Sequence, residues 1–121
     1  MKPKRTIFFF GSNTQGRHGA GAAKTAMMFY EANYGQSEGL QGDSYAIITK
    51  ELRFMYPSIT LLDIQDGVTK FLKFARANRS FYFMVTPIGC GLAGFIPEEI
   101  APLFKKCPSN VLLPKEFTRL L

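Results

Sequence analysis

The sequence predicts an α/β domain, a three-layer α/β/α sandwich around a mostly parallel or mixed sheet. Three observations predict it. Short β-rich apolar runs alternate with segments of helical periodicity through most of the chain. The apolar runs lack polar alternation, as strands covered on both faces do. Glycine-rich loops separate the two kinds of element, with no repeat, linker or low-complexity stretch. The 121 residues, 46% hydrophobic with 12 Phe and 5 Tyr, suit one packed domain spanning 1–121.

The elements follow in order. Thr6 to Phe10 reads as a strand buried on both faces. Gly11 to Gly21 is a loop rich in Gly, Ser and Asn. From about Gly21 to Tyr34, Ala23, Ala26, Met27, Tyr30 and Tyr34 fall on one helical stripe. Gly35 to Gly42 is a second polar, glycine-rich loop. Ser44 to Thr49 is another buried strand, and Lys50 to Ser58 has no clear period. Thr60 can cap a helix, with Asp63 completing the box. Ile64, Val68, Phe71, Leu72 and Ala75 line one face of that helix, which ends near Asn78. Phe81 to Val85 is a third strand and Thr86 to Phe95 a third glycine-bearing loop. Pro97 suits a helix first turn, and Glu98 and Glu99 suit its positive end. Ile100, Leu103, Phe104 and Cys107 form its buried stripe. Asn110 to Leu113 is a last short strand, stopped by Pro114.

The formal net charge of +6 and isoelectric point near 9.5 favour anionic partners: nucleotides, phosphates or nucleic acid. The basic clusters Lys2-Lys4-Arg5 and Lys105-Lys106 read chiefly as solvated surface. No window approaches the roughly 18 apolar residues of a membrane span. The run Ile7 to Phe10 is too short for a signal peptide. A cytoplasmic protein with no membrane partner is expected, with Cys90 and Cys107 as reduced thiols. Their spacing matches no metal motif, so neither a metal nor a cofactor is expected.

In parallel sheets, ligands sit beyond the carboxyl ends of the strands. Two glycine-rich loops occupy that position, after Phe10 and after Val85. The third, before Tyr45, enters its strand from the other end. The first runs from Gly11, Ser12 and Asn13 through His18, Gly19, Ala20, Gly21 and Ala22 to Lys24. It is neither a Walker A loop nor Gly-x-Gly-x-x-Gly. Glycines let backbone approach a ligand, and free amides at a helix N-terminus bind phosphate. Asn13 offers a donor and an acceptor to a sugar or base. The later loop, with Ile88, Gly89, Cys90, Gly91, Leu92 and Ala93, also follows a strand and precedes a helix. Together the two are expected to clasp a diphosphate between two helix N-termini. The first loop alone is equally a turn that lets the helix pack on the sheet. His18, the only histidine, is a candidate general base or phosphate donor, or a loop histidine on backbone. Cys90 lies at a helix N-terminus, where thiol pKa values fall, although a packed small residue is the plainer reading. Phe95 and Phe117 read as core.

As an ordered set, these residues resemble the macrodomain family, in particular its branch containing terminal ADP-ribose protein glycohydrolase. Arg17 to Ala23 is similar to that branch's Arg-Met-Gly-Ala-Gly-Ile-Ala. Tyr45 to Lys50 is similar to its Leu-Ile-Thr-Lys strand, and Ile88 to Leu92 to its phosphate loop. The resemblance covers about Phe10 to Leu113. It implies binding of ADP-ribose or an ADP-ribosylated protein, with residues around Asn13 and Gly19 to Ala22 on the distal ribose and phosphates. Ile88 to Ala93 would then wrap the diphosphate. It also implies hydrolysis of ADP-ribosyl esters or of ADP-ribose 1''-phosphate, with Lys50 as the lysine that attacks the anomeric carbon. An amine must be deprotonated to attack. Lys50 is alternatively a phosphate contact or a solvated strand-end lysine. Two departures follow. Ala93 stands where that branch has an aspartate, and an alanine moves no proton. The chain also begins at the strand before Asn13, a compact version without the family's earlier strand and its adenine-binding acid. The competing expectation is a non-catalytic basic module for nucleic acid or phosphate.

Overall fold

A computed structural model describes residues 5–121; Lys2 and Lys4 of the N-terminal basic cluster lie outside the described residues. The protein is mixed α/β. Its elements are β1 (Arg5–Asn13), α1 (Gly21–Phe29), β2 (Gly39–Gln41), β3 (Ser44–Lys50), α2 (Leu61–Ala77) and β4 (Phe81–Val85). Then come α3 (Pro97–Ile100), a 3-10 turn (Ala101–Phe104), β5 (Val111–Leu112) and α4 (Lys115–Thr118). The strands form one sheet in the order β2-β3-β1-β4-β5. β1 runs parallel to β3 and β4, β4 runs parallel to β5, and β2 is antiparallel to β3. No described helix is long and apolar enough to cross a membrane.

Alternate residues of β1 enter different clusters. Ile7 and Phe9 join α2 residues Ile64, Val68, Phe71 and Leu72, together with Phe83, Phe104 and Phe117. Phe8 and Phe10 join Ala23, Ala26, Ala32 and Ala46. Period-2 alternation sends these sets to opposite faces of the strand. That is why the run from Ile7 to Phe10 shows no polar residue.

α2 matches its sequence signature. Thr60 Oγ1 accepts from the Asp63 amide at 3.1 Å, and Asp63 Oδ2 accepts from the Thr60 amide at 2.8 Å. The five expected core positions, Ile64 through Ala75, are all buried.

Other expectations need correction. β1 extends to Asn13, because β3 continues the ladder, pairing Gly11 with Ile47 and Ser12 with Ile48. The pairing is irregular between Ser12 and Asn13. α1 stops at Phe29, and only Ala23 and Ala26 are buried on it. Met27 and Tyr34, expected on its buried stripe, are 37% and 64% exposed. The cause is the helix end: the amides of Tyr30 and Ala32 both donate to the Ala26 carbonyl, with Glu31 between them at φ +60°. That left-handed residue turns the chain away. Tyr30 instead stacks on Phe8, with centroids 4.5 Å apart. The polar segment 35–42 holds β2. The helix at Pro97 changes to a 3-10 turn after Ile100, where Pro102 lacks the amide a longer α-helix needs. Ile100 and Phe104 of its stripe are buried, and Leu103 and Cys107 are partly so. The sequence also did not signal α4, which buries Phe117.

Candidate functional site

β1 and β3 deliver their carboxyl ends to the same place, and the loop after β4 meets them there. Gly11 marks the junction. A Cβ on it would lie 2.9 Å from Thr49 Oγ1 and 3.6 Å from the Gly89 amide nitrogen. Beside this junction is a cavity of about 570 Å³. Its walls are 11–13 and Arg17 of the first loop, 20–23 at the start of α1, 49–50 at the end of β3, and 86–93 after β4.

The structure thus brings together most of the expected residues. Gly11, Ser12, Asn13, Ala20, Gly21, Ala22, Lys50 and all of Ile88 to Ala93 line the cavity. Gly19 does not, although it adjoins residues that do. The segment before Tyr45 does not contribute either. Residues not foreseen at the site are Arg17, Ala23, Thr49, Thr86 and Pro87. Thr49 and Thr86 had a readable signal, since each sits at the carboxyl end of a strand run.

His18 needs correction as a general base. Its ring is fully buried, set edge-on to Phe10 with centroids 5.3 Å apart. Nε2 lies 3.3 Å from Gln41 Oε1, and Nδ1 meets no partner among the described residues. Gln41 Oε1 also accepts from the Asn33 amide at 2.8 Å. The imidazole therefore ties the first loop to the β2 segment and offers no proton to the cavity. Asn13 lines the cavity, and all of its amide but one Nδ2 N–H is bonded within the loop. Oδ1 accepts from the backbone of Gln15 at 3.2 Å and of Arg17 at 2.9 Å, while Nδ2 donates to the Arg17 carbonyl at 2.8 Å. With both acceptor lone pairs of Oδ1 used, Asn13 shapes the loop.

The diphosphate clasp between two helix N-termini is also corrected. α3 begins at Pro97, outside the cavity wall, and carries Glu98 and Glu99 in its first turn. Only α1 opens on the cavity. Its N-cap is Ala20, with no side-chain cap and no acid in the first turn, so its first amides are uncapped. In the wall segment after β4, the amides of Gly89, Gly91, Leu92 and Ala93 meet no acceptor among the described residues. Four other amides of the loop are bonded within it: Ile88 to Thr86, Cys90 to Pro87, Gly94 to Gly91 and Phe95 to the Gly89 carbonyl.

The charge pattern is one-sided. Arg17 and Lys50 are the charged residues of the wall, which contains no carboxylate. Glu51, next in sequence, has a side chain only 7% exposed and is held by Arg53 and by the Thr14 hydroxyl. Its carboxyl is lowered to about 2, chiefly by the Arg53 side chain and then by Thr14. Burial pushes the Cys90 thiol up, with Glu98, Glu99 and Glu116 adding to it; Sγ donates to the Ile88 carbonyl at 3.4 Å. Cys90 is thus a wall residue that stays protonated at neutral pH, contrary to a thiol activated at a helix end. Among the described residues, no group of His, Cys, Asp and Glu is placed to hold a metal ion. Comparison of the chain with protein-family models, with curated proteins and with solved structures returned no match in any of the three.

Proposed function

We propose that this chain is a macrodomain-like α/β/α module that binds ADP-ribose, free or attached to a protein, and reads it without hydrolysing it. One observation carries the proposal. The uncapped start of α1 and the unpaired amides of 91–93 line one cavity whose wall holds two cations and no carboxylate. A pyrophosphate is the group that such a wall suits. Backbone donors in two wall segments can serve acceptor oxygens, the α1 dipole favours negative charge, and the glycines admit close approach. The volume lies within the roughly 300–1,000 Å³ of small-molecule sites. The two clusters on alternate residues of β1 support the sandwich architecture. Hydrolysis would need a group to move a proton, and the wall has neither a carboxylate nor an imidazole. Lys50 is then a cation for the phosphate or distal ribose.

Calorimetry tests this reading with ADP-ribose, AMP and ribose 5-phosphate on the parent chain and on Gly91→Val. Gly91 is a wall residue where a side chain meets open space and no left-handed φ, so the variant is expected to keep its fold while adding bulk at the cavity wall. The expected result is saturable ADP-ribose binding, weaker AMP binding, and at least a tenfold loss in Gly91→Val at an unchanged melting temperature. No saturable binding, or equal affinity in the variant, overturns the reading. Release of ADP-ribose from an ADP-ribosylated glutamate, lost in Lys50→Ala, would make the protein an enzyme instead.

A further inference from the structure

Immediately after Lys50 the chain makes a turn that the cavity does not use. Phe54 is 92% exposed, Met55 88% and Tyr56 56%. Large apolar side chains at such exposure oppose the hydrophobic effect, and here they are held out by a built anchor. Glu51 Oε1 and Oε2 accept from Arg53 at 2.8 and 3.1 Å, a two-point grip. The Arg53 guanidinium lies 3.8 Å from the centroid of the Tyr56 ring. Thr14 joins the anchor from the first loop: its hydroxyl donates to Glu51 and accepts from the Leu52 amide at 3.3 Å. Its own amide donates to the Lys50 carbonyl at 3.0 Å. Met55 sits at φ +69°, a conformation that glycine adopts freely and L residues resist. A non-glycine residue persists there only where its surroundings fix it, and such strain gathers at functional positions.

We propose that this turn is a stacking platform for unpaired bases of a single-stranded nucleic acid. The exposed rings of Phe54 and Tyr56 offer flat apolar faces, the second already stacked by a guanidinium, which is how single strands are held without sequence readout. Charge complementarity supplies the attraction. Lys50 at the foot of the turn and Arg17 in the same cavity wall are positive, and the chain carries +6 overall. A folded protein partner fits less well. A stable protein interface buries about 800 Å² on each side, and one protruding four-residue turn does not present that area.

Fluorescence anisotropy of a labelled 12-nucleotide oligothymidylate tests the proposal against a duplex of the same length. The single strand is expected to bind at least tenfold more tightly than the duplex. Phe54→Ala should lower its affinity about fivefold or more, and Phe54→Trp should restore it. The dependence on salt should stay the same in Phe54→Ala, because the lost ring carries no charge. Equal affinity for single strand and duplex, or no loss in Phe54→Ala, overturns the proposal. So does a self-association, or an attachment to anionic vesicles, that disappears in Phe54→Ala while oligothymidylate fails to bind. The platform does not depend on the ADP-ribose reading. Phe54 lies outside the cavity wall, and ADP-ribose affinity is expected to be unchanged in Phe54→Ala.

Discussion

The starts of α1 and α2 face the same physical problem and answer it differently. The first turn of any helix leaves backbone amides without intrahelical acceptors. At α2, Thr60 and Asp63 close a reciprocal box, and the Asp63 carboxylate sits at the positive end of the dipole. At α1 the capping position is Ala20, and the first turn carries no acid. The difference extends along both helices. α2 is 17 residues long and buries Ile64, Val68, Phe71, Leu72 and Ala75. α1 is nine residues long and buries two alanines. One helix start thus contributes to stability, while the other is left bare where it borders the cavity.

Supplying the missing cap is the sharpest way to break this contrast. Ala20 has φ −153° and ψ 162°, the extended backbone an N-cap aspartate adopts. Ala20→Asp is expected to stabilise the fold by up to about 1 kcal/mol, read as a raised denaturation midpoint. It should also lower ADP-ribose affinity at least tenfold, since a carboxylate then occupies the anion's place. Stability and affinity should move in opposite directions. If the variant binds ADP-ribose as tightly as the parent, the bare helix start is not an anion site.

The reciprocal change at α2 should touch stability alone. Thr60→Ala removes the cap and is expected to cost about 1 kcal/mol, lowering the melting temperature by roughly 4 °C for a domain of this size. ADP-ribose affinity should not change. A shared loss of affinity would mean that the two helix starts are coupled and the contrast is false.

The same contrast explains what was legible in the sequence. α2 was readable because its cap residues and its large apolar residues repeat at helical spacing. α1 was misread beyond Phe29, because its buried face is alanine and its end is set by Glu31 entering a left-handed conformation, which no apolar period records. The glycine loops were legible as a site because backbone access is a local property. His18 was assigned to that site by its nearness in sequence to Gly19 and Gly21. Its inward rotation onto Phe10 depends on the sheet and on Gln41, which only the folded chain brings near. Asn13 likewise has chemistry to offer that the loop itself absorbs. The turn at Phe54 gave no signal, because exposure is a tertiary property.

Glu51 provides the smallest and most local test. Like Asp63, it is a carboxylate satisfied by its own chain, but it fastens the turn at the cavity rim instead of a helix. The Arg53 side chain, then the Thr14 hydroxyl, lower its carboxyl from 4.5 to about 2. A carboxyl lowered by folding contributes its full stabilisation above the unfolded value of 4.5. It loses that contribution as the pH falls from 4.5 through about 2. Carboxyl carbon NMR should therefore show Glu51 titrating near 2, with the Arg53 Nε proton shifting over the same range. In Glu51→Gln that Arg53 shift should vanish. A Glu51 that titrates near 4.5 would mean that the grip on Arg53 is not made in solution. The turn carrying Phe54 would then be as unfastened as the start of α1 is uncapped, and its exposed rings would have no fixed geometry with which to meet a base.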